Sequence, residues 1–459
     1  MSTREPLSNV DTAWLRMDHP TNLMMITGVM MFDALLDMER LKAVLTERLL
    51  SYDRFRQCVV DREGDPHWVE DPYFDLDQHL HRVALPAPGD QQALQDFVSD
   101  LMSHPLDPDR PLWDMYIVEN YGDGCALIPR IHHCIADGMA LVRVLLDLTD
   151  DRPTRRASTR SGVTAATASG SASLLGGLAG FVRGTARLAR AAVDESLSLL
   201  FNPRHLLHRA RQGLDLASVV AKLLLQGPDT RTILKGPLGV KKRAAWSQPI
   251  PLAEVKRIGK AMGGTINDVL VATAAGALRR YLIAHDQPVD GIEVRAVVPV
   301  NLRPPDAPPT LGNRFGLVFL PLPVGLPDPV ERLREVHRRM TRIKDSSEAV
   351  LLFGLLQGVG MAPGEIQRLI VKLFSHMGTA VMTNVPGPRH QLYLAGVPLR
   401  KIMFWVPRSG AVGLGVSILS YNGEVLVGFA SDAGLIPDPN ELTAAFHAEF
   451  EDLQTRFPA

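Results

Sequence analysis

The stretch from Cys125 to Leu146 constrains the fold of this chain more than any other. Cys125-Ala-Leu-Ile-Pro-Arg-Ile131 reads as a buried strand, and it stops on two adjacent histidines, His132 and His133. After Cys134-Ile-Ala and the pair Asp137-Gly138, Met139-Ala-Leu-Val-Arg-Val-Leu-Leu146 reads as an apolar helix. A strand that runs through a short turn into a helix belongs to an α/β or α+β architecture. Successive strand residues face opposite ways, so His132 and His133 cannot both point into one cleft, and only one of them can be the working base. Gly138 permits the tight turn before the helix.

The rest of the chain repeats this mixture. Leu23 to Phe32 is expected as a strand, Met38 to Leu50 as a helix, Gln57 to Glu70 as a hairpin-like pair and Gln91 to Ser103 as a helix. A second mixed unit begins near Ala244, with helices expected over Thr265–Ala284, Val330–Ile343 and Glu365–Phe374, and strands over Glu293–Val300 and Phe315–Pro321. Four further strand-like runs and a helix from Pro439 to Phe457 close the chain. At 459 residues this exceeds one ordinary core. The expected division is a first subdomain over 1–150, a linker and crossover over 151–243, and a second subdomain over 244–459, with a cleft between the two mixed halves.

Charge singles out the middle segment. The whole chain carries a formal net charge of -1, yet Arg152 to Arg243 holds 16 Lys and Arg against 4 Asp and Glu, leaving 33 against 46 elsewhere. Asp151 to Gly180 has a linker composition of Ser, Thr, Ala, Gly and Arg. Leu174 to Leu225 alternates apolar residues with arginines in a basic amphipathic pattern suited to an anionic surface. Its most apolar run, Leu174 to Val182, and the other such run, Val350 to Pro363, fall short of the roughly 20 residues that span a bilayer. Nucleic acid is not an expected partner. Cys58, Cys125 and Cys134 form no spaced framework, and the N-terminus lacks a signal-peptide pattern, so a cytoplasmic setting is expected.

An imidazole with an ordinary pKa near 6.5 can take a proton from a hydroxyl at neutral pH, which suits either histidine to general-base chemistry. Asp137 invites a triad reading, in which a carboxylate orients the imidazole. A His-His-Asp cluster could also ligate a metal, although adjacent histidines make a poor chelate, and no metal is expected. Cys134 is read as core packing rather than as a nucleophile. Thr265-Ile-Asn-Asp268 is a helix-capping pattern in which Asp268 favours the first turn; in a functional reading Asn267 would donate a hydrogen bond near a developing oxyanion. Pro111-Leu112-Trp113 and Asn384-Val385-Pro386-Gly387-Pro388 hold no proton-transfer group and read as rigid turns that shape a cleft.

Together these stretches resemble the bacterial wax ester synthase/diacylglycerol acyltransferase family. The resemblance rests on His132-His133-Cys-Ile-Ala-Asp137-Gly138 as HHxxxDG, with Pro111-Leu112-Trp113, Asn267-Asp268, Val300-Asn301-Leu302-Arg303-Pro304 and Asn384-Val385-Pro386-Gly387-Pro388 following the family's motifs in order. It implies two chloramphenicol-acetyltransferase-like subdomains joined by a helical crossover. It also implies an acyltransferase that moves a long fatty acyl group from acyl-CoA to diacylglycerol or a long-chain alcohol. It assigns the base to His133, leaves His132 in support, and pairs Asp137 with Arg303 to hold the motif loop. Pro111, Leu112, Trp113, Asp268, Asn384, Pro386 and Gly387 are expected to line the substrate cleft. No cofactor is implied beyond acyl-CoA as co-substrate. The implied partners are acyl-CoA, the acceptor lipid and a membrane or lipid-droplet surface, on the inner face of the plasma membrane or on lipid inclusions. Two other readings use the same residues: transfer to a carrier-bound or polyketide-like substrate, and a non-catalytic lipid-binding protein.

Overall fold

The computed structural model describes residues 4–62, 64–153, 227–303, 311–344, 349, 352–354 and 364–458. The expected linker and amphipathic crossover fall mostly on 154–226, outside the described residues.

Two mixed sheets carry the fold. The first has the strand order Leu392–Leu394, Val397–Trp405, Met25–Phe32, Gly124–His132, Trp113–Tyr121, Leu80–Val83. Its neighbours are antiparallel except for the final parallel pair. Met25–Phe32 is buried along its whole length, which explains why Met-Ile-Thr-Gly-Val-Met-Met-Phe shows no alternation. The second sheet runs Phe315–Leu322, Val294–Asn301, Ala380–Pro386, Leu414–Tyr421, Glu424–Asp432, Lys242–Trp246, with Ile250–Pro251 added beside Glu424–Asp432. Ala380–Pro386 lies parallel to both of its neighbours. Helix Ile266–Ala284 packs against helices Pro329–Lys344 and Asn440–Arg456 over the second core.

The sheets follow the chain only in part. Leu392–Leu394 and Val397–Trp405 come from the stretch assigned by sequence to the second unit, yet they are hydrogen-bonded into the first sheet against Met25–Phe32. Where four strand-like runs were expected late in the chain, five strands form, because Ala395 and Gly396 adopt positive φ and fold a short hairpin. The crossing strand also joins the two cores. Trp405 lies 5.8 Å from Trp246 of the second sheet, and a Cβ on Gly428 would sit 2.7 Å from the Trp405 indole nitrogen and 2.8 Å from Met403 Sδ. Only glycine lets the sheets approach so closely there.

Helix Asn9–Arg16 was not anticipated from periodicity, being eight residues long, but it is capped by Ser8, whose Oγ accepts from the Asp11 amide. Among the described residues no single helix is long and apolar enough to cross a membrane.

Candidate active site

The motif strand ends at His132, paired with Met25, and His133 follows it with its amide donating to Met24 O at 2.7 Å. His132 donates its amide to Leu112 O at 2.9 Å. The Pro111-Leu112-Trp113 motif is therefore the neighbouring support of the histidine turn. Trp113 is fully buried, stacked on His79 at 4.4 Å and donating its indole N–H to Phe55 O, so it is part of the core rather than the wall of an open cleft.

The histidines have different surroundings, as alternation requires. His132 Nδ1 accepts from the Cys134 amide at 3.2 Å, which leaves the ring proton of the neutral form on Nε2; that atom is buried without a partner and lies 3.9 Å from Asp18 Oδ1. The ring of His133 lies against Trp14 and meets Phe315 edge-on, and its Nδ1 has no hydrogen-bond partner. Burial lowers the pKa of His132 to about 3 and of His133 to about 4, the latter against the opposing field of Asp137. Both rings are thus neutral near pH 7, the form that accepts a proton.

Asp137 does not complete a triad. Its Oδ1 caps the motif helix Gly138–Leu148 by accepting from the Ala140 amide at 2.9 Å, while its Oδ2 accepts from Arg303 Nη1 and from the Arg314 amide at 3.0 Å. Arg303 Nη2 reaches Gly312 O at 2.6 Å. The Asp137–Arg303 pair implied by the family resemblance is therefore present, and it anchors the segment Gly312-Asn313-Arg314 along the motif loop. Gly312 adds two main-chain bonds, its amide to Ile135 O and its carbonyl from the Asp137 amide. Burial pushes the Cys134 thiol well up, which suits packing and not nucleophilic attack.

Asn267 and Asp268, adjacent in sequence, do different things. Asn267 Oδ1 accepts from Asn384 Nδ2 at 2.8 Å, so the structure brings together two expected site residues from separate motifs. Asp268 is fully buried; its Oδ2 accepts from the Thr265 amide and from His337 Nδ1, each at 2.8 Å, closing a capping box on helix Ile266–Ala284. That places Asp268 in the scaffold rather than along a cleft. Pro386 ends its strand, and Gly387 beyond it donates to Ser420 O at 2.7 Å, where a Cβ would stand 2.4 Å from that oxygen.

Sequence reasoning assigned no site role to Asp11, Trp14, Asn313 and Phe315; the last three contact His133, and Asp11 holds the Asn313 amide. The capping spacing of Ser8 and Asp11, with a tryptophan one turn on, was the available signal for the first two. An open depression of about 500 Å³ lies between Leu7–Val10 and Asn313, Arg314 and Phe353. Among the described residues no three His, Cys, Asp or Glu side chains gather to hold a metal.

Comparison with known proteins finds relatives along nearly the whole chain. The family model described as the wax ester synthase/diacylglycerol acyltransferase catalytic domain matches residues 7–270, and that for the C-terminal domain matches 311–454. A Mycobacterium tuberculosis protein, named provisionally as a diacylglycerol O-acyltransferase, is 32% identical over 457 residues, 95% of this chain and 87% of its own length. A second from that organism, named as a probable diacylglycerol O-acyltransferase, tgs1, is 31% identical over 414 residues, covering 88% and 86% of the two chains. Among solved structures, the wax ester synthase/diacylglycerol acyltransferase of Marinobacter aquaeolei VT8 superposes with a TM-score of 0.69 at 23% identity, covering 98% of this chain and 99% of that one. The starter condensation domain of rhizomide synthetase shares the fold at a TM-score of 0.59 and 14% identity, covering 99% and 94%.

Proposed function

The chain belongs to the wax ester synthase/diacylglycerol acyltransferase family, and from that premise we propose that it transfers a long-chain fatty acyl group from acyl-CoA to the hydroxyl of diacylglycerol or a long-chain alcohol. The observation that carries the mechanism is the buried, neutral imidazole of His133, set at the end of a strand with its partner histidine turned elsewhere. His133 takes the hydroxyl proton as the oxygen attacks the thioester carbonyl, and the tetrahedral intermediate then collapses with C–S cleavage. The proton passes to the departing thiolate. A base with so low a pKa cannot generate a free alkoxide, so proton transfer accompanies attack. Asn267, whose carbonyl is occupied by Asn384, keeps its amide N–H groups for donation, which supports a part in meeting the oxyanion. This scheme uses no metal and no cofactor besides the acyl-CoA substrate.

The proposal extends to place. Acceptors this apolar reside in a membrane or a lipid inclusion; Lys242 is buried against Asp432 in the second sheet, but the 11 Lys and Arg against 3 Asp and Glu over residues 152–226 suit a cytoplasmic protein held at the anionic inner face of such a surface. The test is an assay of the purified full chain with acyl-CoA against diacylglycerol and hexadecanol. His133→Ala should abolish ester formation in a folded protein, and His132→Ala should leave measurable turnover. Wild-type rates from His133→Ala would overturn the mechanism.

A further inference from the structure

Asn313 comes from the second family domain, yet its side chain is spent on the first. Its Nδ2 donates both to His133 O and to Asp11 Oδ1, each at 2.7 Å, and the residue is only 9% exposed. Asp11 is buried as well, and the Ser8 hydroxyl donates to its other oxygen at 2.6 Å. Asp11 sits on helix Asn9–Arg16, the helix that presents Trp14 to the imidazole of His133. The two N–H groups of one amide thus close a loop of contacts: Asn313 to the His133 carbonyl, His133 ring to Trp14, helix to Asp11, and Asp11 back to Asn313.

We infer that Asn313 is a positioning residue for His133, fixing its carbonyl and setting the distance between that carbonyl and the helix carrying Trp14, and hence how the imidazole is seated. Asn313 Oδ1 is buried without a hydrogen bond of ordinary geometry, and the Asn313 side chain also acts on the His133 ring, where it favours the protonated form against the effect of burial. Two donors are used at one point, to His133 O and to Asp11 Oδ1, and an amide supplies them where a hydroxyl or a carboxylate does not. The flanking backbone is already fixed, since Gly312 and the Arg314 amide bond the motif loop on either side. The side chain is therefore not needed to dock this segment.

The inference rests on His133 being the base, and its test separates the two claims. Steady-state kinetics and thermal melts are measured on the full chain for Asn313→Asp, for the exchange Asp11→Asn with Asn313→Asp, and for His133→Ala. Asn313→Asp removes the donor and sets two carboxylates together. It should lower kcat by roughly tenfold to a hundredfold, the scale of a modest misplacement of a reacting group, with little change in KM for acyl-CoA. In the exchange variant the residue at 11 can donate to the one at 313, restoring the tie to the helix but not the bond to the His133 carbonyl. Its melting temperature should return toward wild type while kcat stays low. Recovery of kcat together with stability would overturn the inference, as would a wild-type kcat in Asn313→Asp. If Asn313→Asp is too unstable to assay, Asn313→Ala and Asp11→Ala answer the same question. Both cut the helix tie, and only the first frees the His133 carbonyl, so equal kcat losses would overturn the inference and a larger loss in Asn313→Ala supports it. Inactive His133→Ala beside fully active Asn313→Asp would leave the base assignment standing and remove Asn313; active His133→Ala would remove the base itself.

Discussion

The indole of Trp14 lies across the imidazole of His133 with ring centroids 4.3 Å apart and planes 29° from parallel, and Phe315 closes another side of the ring at 5.7 Å. Water is thereby kept from the ring faces, and protonation has to occur in an apolar surrounding. This is the physical source of the lowered pKa.

A pH profile reads this directly. A base lowered to about 4 is neutral, and so competent, at every pH above that value, and activity is lost only as pH falls through it. The kcat/KM of the wild type should therefore stay level from neutral pH down to about 5. Trp14→Ala opens one ring face to solvent, so its acid limb should move up toward the ordinary value of 6.5. A wild-type acid limb already at 6.5 would show that the ring is solvated in the working enzyme.

Breaking the pair between Asp137 and Arg303 from either side should cost both stability and rate. The side chains are 5% and 15% exposed, so removing one partner leaves a nearly buried charge, at a cost of roughly 3 kcal/mol or more in Arg303→Ala. Asp137→Asn keeps a side chain able to cap helix Gly138–Leu148, and Asp137→Ala does not. Denaturant melts should rank Asp137→Ala below Asp137→Asn by about 1 kcal/mol, the usual worth of an N-cap.

The neighbours Asn267 and Asp268 should separate cleanly. Asp268→Ala removes the capping box and the partner of His337, so it should lower the melting temperature while the surviving folded protein keeps most of its kcat. Asn267→Ala should do the reverse, with a kcat loss on the order of 10²-fold if its amide meets the oxyanion. Thermal melts paired with active-site-normalised turnover give the answer, and a similar pattern in the two variants would assign both residues to the scaffold.

Surface delivery is tested through charge. Reversal of Arg183, Arg187 and Arg190 to Glu, outside the described residues, should weaken sedimentation with anionic vesicles. The wild-type preference for anionic over neutral vesicles should shrink as the Debye length falls from about 10 Å at 0.1 M salt to 3 Å at 1 M. The triple variant should lose turnover of vesicle-borne diacylglycerol more than turnover of a short soluble alcohol. Equal losses, or unchanged sedimentation, would count against surface binding by this segment.

What the sequence revealed follows from how local each signal is. The strand Gly124–His132 and the helix after it were legible because their burial periodicity lies within one short window; Gly138, expected to permit a tight turn, instead starts the helix without positive φ and with open space where a Cβ would stand, and the cap at Asp137 went unread. Thr265 and Asp268 announced a helix start over an equally short window. The pairing of Asp137 with Arg303 came only through family resemblance, since nothing in the spacing of residues so far apart fixes an ion pair. Asn313 and Trp14 were given no role at the site for a related reason: each matters through a contact with His133 across the fold. The placement of Val397–Trp405 was equally hidden, because an apolar run shows that a strand will be buried and not which sheet will bury it.

That crossing strand has a consequence for biosynthesis. Met25–Phe32 is hydrogen-bonded on one side by Gly124–His132 and on the other by Val397–Trp405, with Gly28 opposite Phe404. As the chain leaves the ribosome, one edge of its most buried strand is without a partner until residues near 405 emerge. A fragment ending before them would present an open apolar edge of the kind that templates aggregation. The two halves are therefore successive in the gene but simultaneous in folding, and dissecting the protein at its middle segment should yield an insoluble first half rather than a smaller enzyme.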